Sequence, residues 1–145
     1  MASVNTYLNF TNKTEEVFNF YKTVFGGEFN GGINRFGDMP PMEGVPPVSE
    51  ADKKLVMHIE LPILGGHKLM GTDAPESMGF SIQPGNNVHI SIEPDSREEA
   101  DRLFNALSAG GKVTMPLADM FWGAYYGSFT DKYGVQWMIN FVEKK

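Results

Sequence analysis

The chain has no cysteine. Disulfides, thiolate zinc sites and a cysteine nucleophile are therefore all excluded. Basic residues are also scarce: 12 Lys and Arg stand against 18 Asp and Glu, for a net charge of −6. They form no stripe of the kind nucleic acid requires, and no patch for an anionic membrane. No apolar run approaches the ~20 residues that span a bilayer. The opening MASVNTYLNF lacks the charged and apolar regions of a secretion signal. No glycine-rich strand-to-helix turn of the dinucleotide-binding type occurs. The expectation is a cytoplasmic protein of one domain over its 145 residues, with no nucleic-acid or membrane partner.

Aromatic residues are what the chain does have, above all between Gly111 and Phe141. Phe121, Trp122, Tyr125, Tyr126, Phe129, Tyr133 and Trp137 fall in short β-prone runs there. Pro116, Gly123, Gly127, Asp131 and Gly134 punctuate them. This grammar predicts consecutive antiparallel strands. Trp122, Tyr125 and Tyr126 flank Gly123, where they either stack on a flat or apolar ligand or seal an interface. Tyr133 and Trp137 are expected in the core, with Asp131 and Gly134 in the last turn.

The chain also repeats itself. Val4 to Phe29 and Val88 to Val113 share one pattern, and Gly110 follows Gly26 by the same 84 residues that separate Val88 from Val4. Each segment opens with an alternating strand. Each continues with a capping-box pattern, Asn12 with Glu15 and Ser96 with Glu99. An apolar stripe follows: Val17, Phe20, Tyr21, Val24 and Phe25 in the first, and Ala100, Leu103, Phe104 and Leu107 in the second. Both predicted helices stop at a glycine pair, Gly26-Gly27 and Gly110-Gly111. Three strand-like runs come next in each half: Glu28–Phe36, Leu55–Leu61 and Lys68–Thr72, then Lys112–Met115, Ala124–Thr130 and Gln136–Phe141. The fold class is thus α+β, two β-α-β-β-β modules over about residues 1–75 and 86–143. Their helices lie on one side of a curved mixed sheet, leaving an open cleft. The proline-rich stretch 37–54 reads as a solvated loop, or as a lid or arm onto a second subunit.

Strand alternation predicts what the open side carries. In the strand around MHIEL, Leu55, Met57, Ile59 and Leu61 are expected to pack under the helix while Val56, His58 and Glu60 face outward. In the same way His89, Ser91 and Glu93 oppose Val88, Ile90 and Ile92, and Asn5, Tyr7 and Asn9 share the face of strand one. A His–Glu pair there reads either as an acid–base couple or as a mutually satisfied polar face. His67, in LGGHKL, is expected to be exposed.

These motifs carry a resemblance. YLNF, EEVFNFYKTVFGGEF, MHIEL and above all GGKVTMPLADMFWGAYYGSFTDKYGVQWMIN resemble the PhnB-like branch of the vicinal oxygen chelate superfamily, the group of glyoxalase I, extradiol dioxygenases and bleomycin-resistance proteins. The resemblance implies the paired-module fold and a homodimer. It also implies a position for metal, because the metal-dependent members draw ligands from the first and fourth strands of each module. Those positions here are Asn5, Met70, His89 and Met138, of which His89 alone suits a divalent Lewis acid. The expectation is therefore no catalytic metal and no cofactor, with a small-molecule ligand contacted by His58, Glu60, His89, Trp122, Tyr125 and Tyr126. The alternatives are a metal-dependent lyase, isomerase or dioxygenase using His89, and a module whose aromatic face binds a protein. A phosphonate ligand would call for clustered arginines, whereas Arg97 and Arg102 fall on the second helix and leave Arg35 alone.

Overall fold

The computed structural model describes residues 2–40, 43, 44 and 46–143. The chain forms two compact units, residues 1–82 and 83–145. The first contains β1 (Thr6–Phe10), α1 (Thr14–Phe25), β2 (Asn34–Arg35), β3 (Val56–Pro62) and β4 (Lys68–Asp73). The second contains β5 (Ile90–Ile92), α2 (Arg97–Ser108), β6 (Lys112–Asp119), β7 (Tyr125–Thr130) and β8 (Gln136–Phe141). The strand orders are β1-β4-β3-β2 and β5-β8-β7-β6. In each sheet the first strand of the unit runs parallel to the fourth, and the remaining pairs are antiparallel. The duplication expected from the sequence is thus present as two sheets of identical topology.

Each helix covers one face of its own sheet. In the first unit Val17, Phe18, Tyr21 and Val24 of α1 are buried together with Ile59, Leu61 and Leu69. The expected stripe placed Phe20 inside and passed over Phe18. At about 100° per residue Phe18 lies within about 60° of both Thr14 and Tyr21 on the buried face, whereas Phe20 is only half-buried. Gly71 makes room for it, since a Cβ there would stand 2.6 Å from the Phe18 ring. In the second unit Ala100, Leu103, Phe104 and Leu107 are buried as the spacing predicts, against Phe129, Trp137 and Ile139. Phe104 meets Phe129 edge to face at 5.0 Å.

The helix ends differ in how they are held. Ser96 caps α2, its hydroxyl accepting from Glu99 N at 3.1 Å, a contact of about 1 kcal/mol. Asn12 does not cap α1. It sits in the left-handed region at φ 59°, and the helix begins at Thr14. The cap comes instead from Asp73 at the end of β4, whose Oδ1 accepts from Thr14 N at 3.0 Å while Oδ2 accepts from Val56 N at 2.8 Å. Glu15, expected in a capping box, forms a two-pronged pair with Arg35 at 2.8 and 3.1 Å. That guanidinium holds the Glu15 carboxyl below its ordinary pKa.

The two glycines that end α2 serve different needs. Gly110 takes φ 77°, a conformation that side chains resist. Gly111 lacks space: a Cβ would lie 2.2 Å from the Thr130 carbonyl oxygen and 2.8 Å from the Asp131 carbonyl carbon. Because both obstacles are backbone, we expect Gly111→Ala to destabilise the second unit by about 2 kcal/mol, read as a lowered urea midpoint at unchanged slope.

Four expectations change. Val56, expected on the open face with His58 and Glu60, is fully buried where its amide donates to Asp73. Glu28–Phe36 contributes only Asn34–Arg35 to the sheet, because Gly31 and Gly32 at φ 72° and 70° turn the chain out of extended geometry. β5 covers only Ile90–Ile92, so Val88, expected inside, is 73% exposed. His67 is part-buried, with Nε2 2.7 Å from Thr6 Oγ1. The base of the 37–54 loop is closed by Phe36 N to Leu55 O and Gly37 N to Lys53 O, both at 3.0 Å. The part of the lid-or-arm expectation that rests on Pro41, Met42 and Val45 lies outside the described residues.

Candidate functional site

The sheet face turned away from α1 is polar. Tyr7, Met70 and Glu60 stand in one row across β1, β4 and β3. His58 follows on β3, opposite Asn34 of β2. Glu60 is held in place, as Asn30 Nδ2 donates to its Oε2 at 2.7 Å. His58 Nδ1 and the Tyr7 hydroxyl approach to 3.5 Å, with ring centroids 6.0 Å apart. His58 and Glu60 therefore do share the face their alternation predicts. Asn30 carries no periodic signal and went unnoticed in the sequence. Tyr7 was legible as a face residue, though not as the neighbour of His58.

In the second unit the aromatic trio divides. Successive side chains of a strand point to opposite faces. Tyr125 points towards α2, where its hydroxyl donates to Asp101 at 2.5 Å. The Arg97 guanidinium lies 3.9 Å from its ring centre and also pairs with Asp119 at 2.5 Å. The hydrogen bond to Asp101 raises the Tyr125 pKa above its usual value. Tyr126 points the other way. It opposes Asn140 of β8, and its ring lies 6.3 Å from Trp122. Trp122 in turn meets Phe121 edge-on at 4.9 Å. The structure thus brings Trp122 and Tyr126 together and commits Tyr125 elsewhere. His89 sits just before β5, half-buried.

The residues that the resemblance assigns to a metal do not suit one here. Asn5 Oδ1 already accepts from Lys68 N at 3.1 Å. Met70 and Met138 offer thioethers, which are soft ligands unlike those of oxygen-activating or Lewis-acid centres. His89 is the one imidazole of the set. Among the described residues no three His, Asp or Glu side chains converge.

Two hollows lie apart from the Tyr7, His58 and Glu60 group and from the Trp122 and Tyr126 pair. One, of about 480 Å³, is bordered by Lys13, Glu16, Asn19 and Lys54 beside the start of α1. The other, of about 490 Å³, lies between Pro84–Asn86 and Gly134–Gln136. No helix among the described residues is long and apolar enough to cross a membrane.

The profile of the Glyoxalase/Bleomycin resistance protein/Dioxygenase superfamily matches residues 3–139. The chain belongs to this superfamily. Among its relatives, Protein YjdN of Escherichia coli (strain K12) is 29% identical over 98% of this chain and 97% of that one. The crystal structure of protein PA1353 from Pseudomonas aeruginosa is 35% identical, with a TM-score of 0.82 over 99% of this chain and 100% of that one. A Bacillus cereus PhnB protein, described as a putative 3-demethylubiquinone-9 3-methyltransferase, is 28% identical with a TM-score of 0.72, covering 97% of this chain and 100% of that one. Superfamily membership accounts for the repeated parallel pairing of first and fourth strands.

Proposed function

We propose that the chain is a small-molecule-binding protein of the PhnB-like branch. Its ligand contacts come from the sheet faces turned away from the helices, and it works without a catalytic metal. The donor chemistry carries this reading: Asn5 and Met70 give the first unit a committed amide and a thioether, His89 and Met138 give the second one imidazole and a thioether, and neither pair suits the Lewis acid that vicinal oxygens require. The preset Asn30–Glu60 pair and the neighbouring Tyr7 and His58 supply polar contacts on the first face. Tyr125 is left out of the contact set because Asp101 and Arg97 engage it. The methyltransferase description of the Bacillus cereus relative finds no support in this sequence, which lacks a glycine-rich cofactor turn. The same reading takes the protein as a cytoplasmic homodimer.

Elemental analysis of protein purified without chelator or nickel resin, repeated on His89→Ala, tests the metal-free reading. We expect metal far below the one equivalent that a built site retains, in both proteins alike. About one equivalent that disappears in His89→Ala would replace this reading with a metal-dependent lyase, isomerase or dioxygenase.

A further inference from the structure

Asn30 combines three features. First, it is the only asparagine of the chain followed by glycine. Glycine leaves its own backbone nitrogen open to approach, and a Cβ at Gly31 would meet nothing within 4 Å. Second, that nitrogen is uncommitted. Among the described residues the Gly31 N–H donates to no acceptor, and the exposed turn around it is closed by Gly32 N to Phe29 O at 3.2 Å, with Gly31 at φ 72°. Third, the Asn30 side chain has a task. Its Nδ2 donates to Glu60 Oε2 at 2.7 Å, beside a backbone bond from Asn30 N to Glu60 O at 2.9 Å. A reactive dipeptide thus holds a carboxylate of the Tyr7, His58 and Glu60 face.

We propose that Asn30 is a self-modification site, converting to aspartate or isoaspartate at a rate set by the grip of Glu60. The Gly31 nitrogen bonds to Asn30 Cγ as the Cγ–Nδ2 bond breaks. Nδ2 leaves as ammonia, taking up the proton shed by the Gly31 N–H. Water then opens the cyclic imide at either carbonyl and leaves one added negative charge. Water is the only co-reactant. Turning the Asn30 amide towards the Gly31 nitrogen breaks its bond to Glu60, a charge-assisted bond of the stronger kind. The product cannot restore that bond. A carboxylate has no hydrogen to donate, and two ionised carboxylates repel each other at this distance. Glu60 is thereby released on the face that supplies ligand contacts in the small-molecule reading. The reaction itself needs no ligand, so it stands or falls apart from that reading.

The full chain is aged in its folded state at neutral and at mildly alkaline pH, beside Glu60→Ala, Glu60→Gln and Asn30→Gln. Fragmentation mass spectrometry of the tryptic peptide spanning residues 23–35 separates Asn30 from Asn34. Isoaspartate is counted by enzymatic methylation, and circular dichroism checks that the fold persists. We expect conversion at Asn30 in the parent, faster at the higher pH, with ammonia released mole for mole. The aspartate form should coelute with Asn30→Asp on anion exchange. Glu60→Ala should convert about tenfold faster, a barrier lower by roughly 1.4 kcal/mol. Glu60→Gln keeps an acceptor without the charge and should fall between the two, which a general loosening of the fold would not produce. Asn30→Gln should show no conversion at residue 30, because its longer side chain closes the wrong ring size. Folded parent and folded Glu60→Ala that both stay unconverted at residue 30 overturn the proposal. So do equal rates in those two proteins, because Glu60 then has no hold on the reaction. Conversion seen only after unfolding in urea overturns it as well.

Discussion

Asp131→Ala is expected to lower the unfolding free energy by about 4 kcal/mol. The carboxylate is 3% exposed and serves three donors at once. Oδ1 accepts from Tyr133 N at 2.9 Å and from Val135 N at 3.0 Å, while Oδ2 accepts from the Trp137 indole at 2.9 Å. Alanine would leave two turn amides and a buried indole N–H unmatched. A hydrogen bond to a charged group contributes roughly 1.5–3 kcal/mol, and water entering the turn recovers part of that loss. Asp131→Asn can keep the two amides on its remaining oxygen but turns a second donor towards the indole, so about half the loss is expected. Urea titrations followed by the near-ultraviolet signal of Trp137 measure both. A loss under about 1 kcal/mol in Asp131→Ala would mean that the turn holds itself.

Asp73→Ala should cost about 3 kcal/mol. This carboxylate, also 3% exposed, joins the last residue of β4 to the first of α1 and the first of β3. Its charge lies at a helix N-terminus, where the aligned peptide dipoles favour it. The companion experiment is Asn12→Gly. Asn12 makes no cap and occupies left-handed backbone, so glycine there should change stability by less than about 0.5 kcal/mol. Equal losses from the two variants would return the capping role to Asn12.

The contrast between these two residues shows how far the sequence could be read. Both helices, their glycine stops and most strands follow from local spacing, which is why Ser96, three residues before Glu99, was legible as a cap. Asp73 lies 59 residues from the helix it caps, and nothing in local sequence joins the two. Asn30 and Glu60 are similarly joined only by the fold. Phe18 was passed over because Phe20 fitted an i, i+4 spacing with Val24, though Thr14 and Gly71 mark the buried side. The division of Tyr125 from Tyr126 was available in advance, since neighbours in a strand cannot share a face. The density of rings around Gly123 outweighed that rule. Of the candidate site, the His58–Glu60 face was visible as alternation. The loss of Tyr125 to Arg97 and Asp101 depended on where α2 lies.

The pairing of first strand with fourth also sets a timetable for synthesis. β1 leaves the ribosome early, yet its partner β4 ends at Asp73, and β4 is also the strand that pairs with β3. Until β4 emerges, β1 has no neighbour and α1 has neither its cap nor the glycine on which Phe18 rests. Long-range closures of this kind are slow. The first half should therefore stay protease-sensitive on arrested ribosomes until Asp73 is exposed and then become resistant abruptly. The same delay should repeat for β5, which waits for β8.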